Sequence, residues 1–226
     1  MTESPPEIET TQAQPSEPAE TKPPAPTRAP RNLKAAHAVL ERLFQLHPKM
    51  FGAKFLPLKL GAFQDIMALH PDEFAKEDLK MALGLHARST RYLERVAAGN
   101  PRHDLDGNPL EPVAPEHVHH AISEIFRRRS ARNLEEAQAW RRKRLIAAIT
   151  AAGLSREDYE ARVGVKDEAS HAAVDEAFAD IAERAARHEA LARAFAASGQ
   201  TVEQFAETYG MKVGAVREAL GPDPAA

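Results

Sequence analysis

The chain has 226 residues, enough for one large domain or two small ones. It contains no cysteine, which excludes disulfides, thiolate metal sites and a cysteine nucleophile. Its formal net charge of -3 is not that of a globally basic protein, yet the mean hides a segregation: residues 1–30 carry 2 basic and 5 acidic side chains, residues 31–132 carry 16 and 12, and residues 133–226 carry 12 and 16. The middle segment, with eight of the ten histidines, has the electrostatic bias of a polyanion binder.

Residues 1–30 hold eight of the seventeen prolines and, after Met1, one large apolar residue, Ile8. Such a stretch cannot bury enough surface to offset its ordering entropy and reads as a disordered, acidic tail. MTESPPEIET is the reverse of a signal peptide's basic start and apolar core. The longest apolar run, Leu145 to Leu154, is half of the roughly 20 residues that span a bilayer. A soluble cytoplasmic protein with no membrane partner is expected.

From Asn32, placed as a cap, Leu33, Ala36, Val39, Leu40, Leu43 and Phe44 repeat at helical spacing, and Pro48 marks the end. An extended lead-in through Leu56-Pro57 then precedes a short helix burying Phe63, Ile66, Met67 and Leu69; the residue before proline is pushed out of the helical region. A third helix starts near Lys76 with Leu79 and Leu83 inward. A fourth runs from about Ser89 to Ala97 with Tyr92, Leu93 and Val96 on one side. Gly84 either interrupts the third or separates the two. PRHDLDGNPLEPV reads as a β-hairpin turning at Asp106-Gly107, and Pro115 opens a helix burying Val118, Ile122, Ile125 and Phe126. The rest is helical and alanine-rich: Leu134 to Ala152, then a long amphipathic helix carrying Val174, Phe178, Ile181, Ala185, His188, Leu191 and Phe195. Residues 145–166 align without gaps to residues 191–212 with seven of 22 positions identical, including Gly153/Gly199 and Gly164/Gly210, which reads as an internal duplication.

No Gly-rich nucleotide loop and no nucleophile elbow is present, so an enzyme is not expected, nor a cofactor. His117, His119 and His120 are the densest ligand-like group; His117 and His120 lie one turn apart on a helix, but with no thiolate and no third ligand the cluster reads as solvated side chains before a zinc site. His188 reads as a core histidine, and Asp104 and Asp106 as turn formers. The basic residues are more telling. Lys76 and Lys80 share a helix face, Arg88, Arg91 and Arg95 surround Tyr92, and Arg102 opens the hairpin. Cations around one aromatic suit unpaired nucleotides: charge for phosphate, a ring for stacking.

LPLKLGAFQDI (56–66), LHARSTRYL (85–93) and RHDLDGNP (102–109) resemble, in order and spacing, the ProQ/FinO family of bacterial RNA chaperones, over about residues 31–130. The resemblance implies a mainly α protein: a compact helical ProQ/FinO-like domain at 31–132 with one small β-hairpin, preceded by the tail and followed by an all-helical region at 133–226. It implies a concave basic face for structured RNA, a stem with a single-stranded 3′ end, as in small RNAs and messages, and a role in post-transcriptional regulation. By residue, it implies that Lys59 belongs to that face and that Asp65 orders the pocket. Tyr92 and Arg102 receive the RNA 3′ terminus; Lys76 and Lys80 contact the duplex backbone, with Arg91 and Arg88 beside the tyrosine. The chain departs from the family at Gly84, where many members have arginine; Arg88 is positioned to compensate.

RRRSAR (127–132) and RRKR (141–144) either extend the RNA track or form a solvated helix face. TVEQFAETYGMKVGAVREALG (201–221) has helix-turn-helix spacing but offers only Lys212 and Arg217 as cations, so protein interaction is favoured there over DNA. The rival functions are a DNA-binding regulator working through these C-terminal repeats and a protein-interaction scaffold.

Overall fold

A computed structural model describes residues 29–221, with side chains described from residue 33. The expected tail of residues 1–30 lies outside the described residues except for its last two positions. Eleven helices follow one another: α1 (Ala29–Leu46), α2 (Pro48–Phe51), α3 (Ala62–Leu69), α4 (Lys76–Ala87), α5 (Thr90–Ala97), α6 (Pro115–Ser130), α7 (Leu134–Ala152), α8 (Arg156–Val163), α9 (Glu168–Ser198), α10 (Val202–Thr208) and α11 (Val213–Leu220). Among the described residues, no helix is long and apolar enough to cross a membrane.

α1 begins a turn ahead of Asn32, so that residue is not its cap. Its buried stripe runs through Ala36 and Leu43, leaving Leu33 and Phe44 half exposed against expectation. Pro48 both ends α1 and opens α2, where its missing N–H costs nothing. Gly52 closes α2 because a Cβ there would lie 2.2 Å from the Pro48 carbonyl oxygen. In α3 only Ile66 of the four expected residues is fully buried, and Leu69 is exposed. Gly84 stays inside α4; the break falls at Ser89, whose Oγ accepts the Tyr92 N–H at 3.2 Å and caps α5.

The expected β-hairpin is not shown as paired strands: no strand is present among the described residues. Besides an isolated bridge from His103 to Leu58, its arms meet at an isolated His103–Pro109 bridge, flanked by the Arg102 N–H donating to the Glu111 carbonyl at 2.9 Å and the Leu110 N–H to the Arg102 carbonyl at 2.7 Å. Two causes are visible. Pro109 and Pro112 donate no backbone hydrogen bond, and the Asp104 carboxylate takes the Asp106 and Asn108 N–H groups at 3.0 and 2.9 Å. The segment is a turn closed around an aspartate. Gly107, at φ +78°, supplies the left-handed residue that the turn requires.

One hydrophobic cluster runs from Leu43 and Met50 through Leu79, Leu93, Ile122 and Ile125 to Leu145, Ile149, Tyr159 and Val174. α7 and the first half of α9 therefore pack on the same core as α1–α6, across the boundary expected at 132/133. A second, small cluster joins Phe205, Ala206 and Val216 to Leu191 and Phe195. α9 links the two clusters. Its stripe is covered at both ends, whereas residues 182–187, including Ala185, are exposed and His188 is only half buried. The two aligned segments share local geometry: Gly153 and Gly199 lie at φ +62° and +60°, Ser155 and Thr201 cap α8 and α10, and Tyr159 and Phe205 are both buried.

Candidate nucleic-acid interface

The Leu58 peptide organises the site. Its neighbours pair with the aspartate turn, Lys59 N–H donating to the His103 carbonyl at 3.0 Å and His103 N–H to the Pro57 carbonyl at 2.8 Å. A single bridge leaves the N–H and C=O of Leu58 facing away from His103, and such buried groups must find partners. Leu58 N–H donates to the Tyr92 hydroxyl at 3.1 Å, and Arg102 Nη1 donates to the Leu58 carbonyl at 2.8 Å. The two residues expected to meet RNA are thus locked to one peptide. Burial raises the Tyr92 phenol above its usual pKa, while the Leu58 N–H and the nearby Arg102 charge oppose the rise.

Tyr92 is buried more deeply than a freely presented stacking ring, at 9 % exposure. One side of it packs on His86, 5.2 Å between centroids. His86 is itself enclosed by Phe51 and Phe55, and burial holds its imidazole down at about 4. The other side forms the floor of a cavity of about 630 Å³ that Arg102 and Arg88 also line, with His117, His120 and Arg128 opposite. Arg128 braces the rim by donating to Thr90 Oγ1 at 2.8 Å and to the Arg88 carbonyl at 2.9 Å. The acid in the wall, Glu124, is engaged by Arg127 and Arg128, which hold its carboxyl at about 2. The cavity therefore presents guanidinium groups around a phenol that retains its own O–H for donation, a set suited to an oxyanion next to a sugar.

The other expected residues fall in three places. Lys59 and Asp65 form a half-exposed ion pair at 2.5 Å, which raises the Lys59 ammonium and ties α3 to the extended segment. Lys76 and Lys80 are exposed on α4, one turn apart, with no carboxylate within ion-pair distance among the described residues. Arg88 lies over Gly84: a Cβ on that glycine would sit 3.4 Å from Arg88 Nη1. A guanidinium reaching back from the α4 end thus occupies the space beside Gly84. Arg91 is not brought to the Tyr92 cavity. It points from another face of α5 and rests over the Phe55 ring at 5.5 Å, so the expected cations do not share one hollow.

His119 corrects the expectation of a solvated trio: it is buried, with Nδ1 3.2 Å from the Tyr159 hydroxyl. Among the described residues, no group of three or more histidines or acids could hold a metal ion. Sequence reasoning did not single out Arg128, His117 or His120 for the cavity. The run of cations at 127–132 was the available signal, but only the crossing of α6 over α5 selects Arg128 from it.

Residues 33–138 match the model of the ProQ/FINO family. The chain is 40% identical over 90 residues to an RNA chaperone ProQ of Shewanella frigidimarina, covering 38% of this chain and 44% of that protein. It is 39% identical over 89 residues to an RNA chaperone ProQ of Shewanella amazonensis, covering 38% and 41%. The match thus spans less than half the length of these curated relatives. Among solved structures, a FinO-like RNA chaperone from Neisseria meningitidis MC58 aligns at 26% identity and a TM-score of 0.38, over 42% of this chain and 80% of that one. A ProQ homolog from Legionella pneumophila aligns at 24% and 0.34, over 52% and 92%.

Proposed function

We propose, from the premise that residues 33–138 form a ProQ/FinO-family domain, that the protein is an RNA chaperone that binds a stem with a single-stranded 3′ end. The observation that carries this reading is the clamp of Tyr92 and Arg102 on one Leu58 peptide at the floor of a cationic cavity. A rigid cation and a phenol O–H held side by side suit a terminal ribose and its phosphate. Lys59, ordered by Asp65, and the α4 row of Lys76 and Lys80 supply cations for the stem, whose A-form grooves are read by shape and charge more than by sequence. The curated relatives carry the name RNA chaperone. We extend it to this chain as a cytoplasmic protein that acts on small RNAs and message 3′ ends by binding, without covalent chemistry.

The DNA-reading alternative loses support at its recognition helix. Of its two cations, Arg217 is paired with Glu203 at 2.6 Å, leaving Lys212. The C-terminal helices are better suited to a protein partner.

The test is filter binding of a hairpin RNA with a short 3′ tail. Arg102→Ala loses a charged contact worth about 2 kcal/mol, near thirtyfold in Kd, whereas Arg95→Ala, outside the cavity, leaves Kd within about threefold. Thermal unfolding measured alongside separates lost contact from lost fold. Equal losses in both variants defeat the reading.

A further inference from the structure

On the far side of α5 lies a second concavity, of about 410 Å³, whose walls come from four elements. α5 contributes Arg91 and Arg95, the segment before Leu56 contributes Lys54 and Phe55, the end of α6 contributes Arg129, and α7 contributes Trp140 and Arg144. Its one acid, Glu94, is paired with Arg129 at 2.8 Å. Among the described residues, Lys54, Arg91, Arg95 and Arg144 have no carboxylate within ion-pair distance. Arginines outside the concavity do: Arg142 with Asp180, Arg156 with Asp175, and Arg162 with Glu116. Four unneutralised cations in one hollow repel one another, a cost that an anionic ligand removes.

Charge alone would suit any anion; the rings narrow the class. Arg129 lies over the Trp140 ring at 4.7 Å and Arg144 approaches the same ring at 5.9 Å, while Arg91 lies over Phe55. Guanidinium planes already laid on aromatic rings are the platforms on which unpaired bases stack. Phe55 adopts φ +48°, a left-handed conformation that a bulky residue seldom takes, and its ring is held in a stack on His86, 5.1 Å between centroids. Trp140 and Arg144 lie beyond residues 33–138, so this site joins the family domain to α7.

We infer that this concavity is a second RNA site, taking unpaired nucleotides of a single strand by stacking on the Trp140 and Phe55 platforms and by phosphate contacts to Lys54, Arg91, Arg95 and Arg144. It shares with the proposed function the class of ligand but not the cavity, and it needs no 3′ terminus. α5, with the end of α6, walls both cavities. Strands in the two would lie about one helix diameter apart, roughly 10 Å, an arrangement that brings two RNA segments together for pairing.

Trp140 is the chain's single tryptophan, so its emission reports on this site. The probe is a short, unstructured oligoadenylate carrying a 3′-phosphate, titrated against the full chain, Arg95→Ala and Arg144→Ala. The expected result is a saturable change in Trp140 emission, with Kd raised about tenfold in each variant, while their binding of the 3′-tailed hairpin stays within about threefold. No emission change, or one undiminished in the variants, overturns the inference. So does an equal response to polyglutamate, which would make the hollow a site for acidic protein. Hairpin binding that ignores Arg102→Ala would count against the proposed function alone.

Discussion

The outer edge of the Leu58 peptide has no strand beside it, and two side chains take the strand's place. Tyr92 and Arg102 therefore do structural work in the same atoms that the proposed function assigns to RNA, and that work accounts for Tyr92 being sunk to the cavity floor. Beneath it, His86 is buried with Nε2 unpaired, its pKa lowered from 6.5 to about 4. A histidine whose folded pKa lies below its unfolded one binds its proton more tightly when unfolded. Its contribution is whole above pH 6.5, shrinks as pH falls, and levels off below about 4, a loss of about 3 kcal/mol at most. His47 and His119, also lowered by burial, act in the same direction. Denaturant melts taken between pH 7 and 4 should therefore show falling stability, with His86→Phe giving a flatter dependence. An unchanged slope in that variant would mean that the imidazole takes up its proton equally in the folded and the unfolded chain.

At the scale of elements, the regular helices were legible in the chain. α7 occupies the expected residues because Asn133 caps one end, accepting the Glu136 N–H, and Gly153 at φ +62° closes the other. The α4–α5 break falls where sequence reasoning began the fourth helix, at Ser89, which makes it through its cap, and Gly84, weighed as another joint, stays inside α4. The hairpin stops at one bridge and a few cross-arm bonds, short of regular strands, because continuous pairing needs donors that Pro109 and Pro112 lack, a deficit that the turn signal of Asp106-Gly107 masks. The candidate site divides in the same way. Lys76 and Lys80, four apart, were readable as one face from helix periodicity alone. That Arg91 and Tyr92 serve different hollows depends on what packs on each side of α5, which no local pattern records. The α4 row gives its own prediction. Lys80→Ala should reduce the slope of log K against log salt for hairpin RNA by about 0.7–0.9, measured by filter binding over a salt series. An unaltered slope would remove α4 from the RNA track.

Across the whole molecule, charge follows pairing. The arginines of α8 and α9 mostly meet carboxylates, whereas the unpaired cations gather around α4, α5 and the middle of α7. This segregation lets a chain of net charge -3 present strongly basic hollows, and it places both of them against one short helix. The long α9 carries the Phe205–Val216 cluster on its second half, apart from the core packed by α1–α7. The central claim is that the Tyr92 cavity receives a free RNA terminus. The direct measurement compares one hairpin RNA bearing a 3′-hydroxyl with the same RNA bearing a 3′-phosphate, by equilibrium binding to the full chain. Binding of the blocked RNA should be clearly weaker, and the difference between the two smaller in Arg102→Ala. Equal affinities of the intact chain for both RNAs would contradict it.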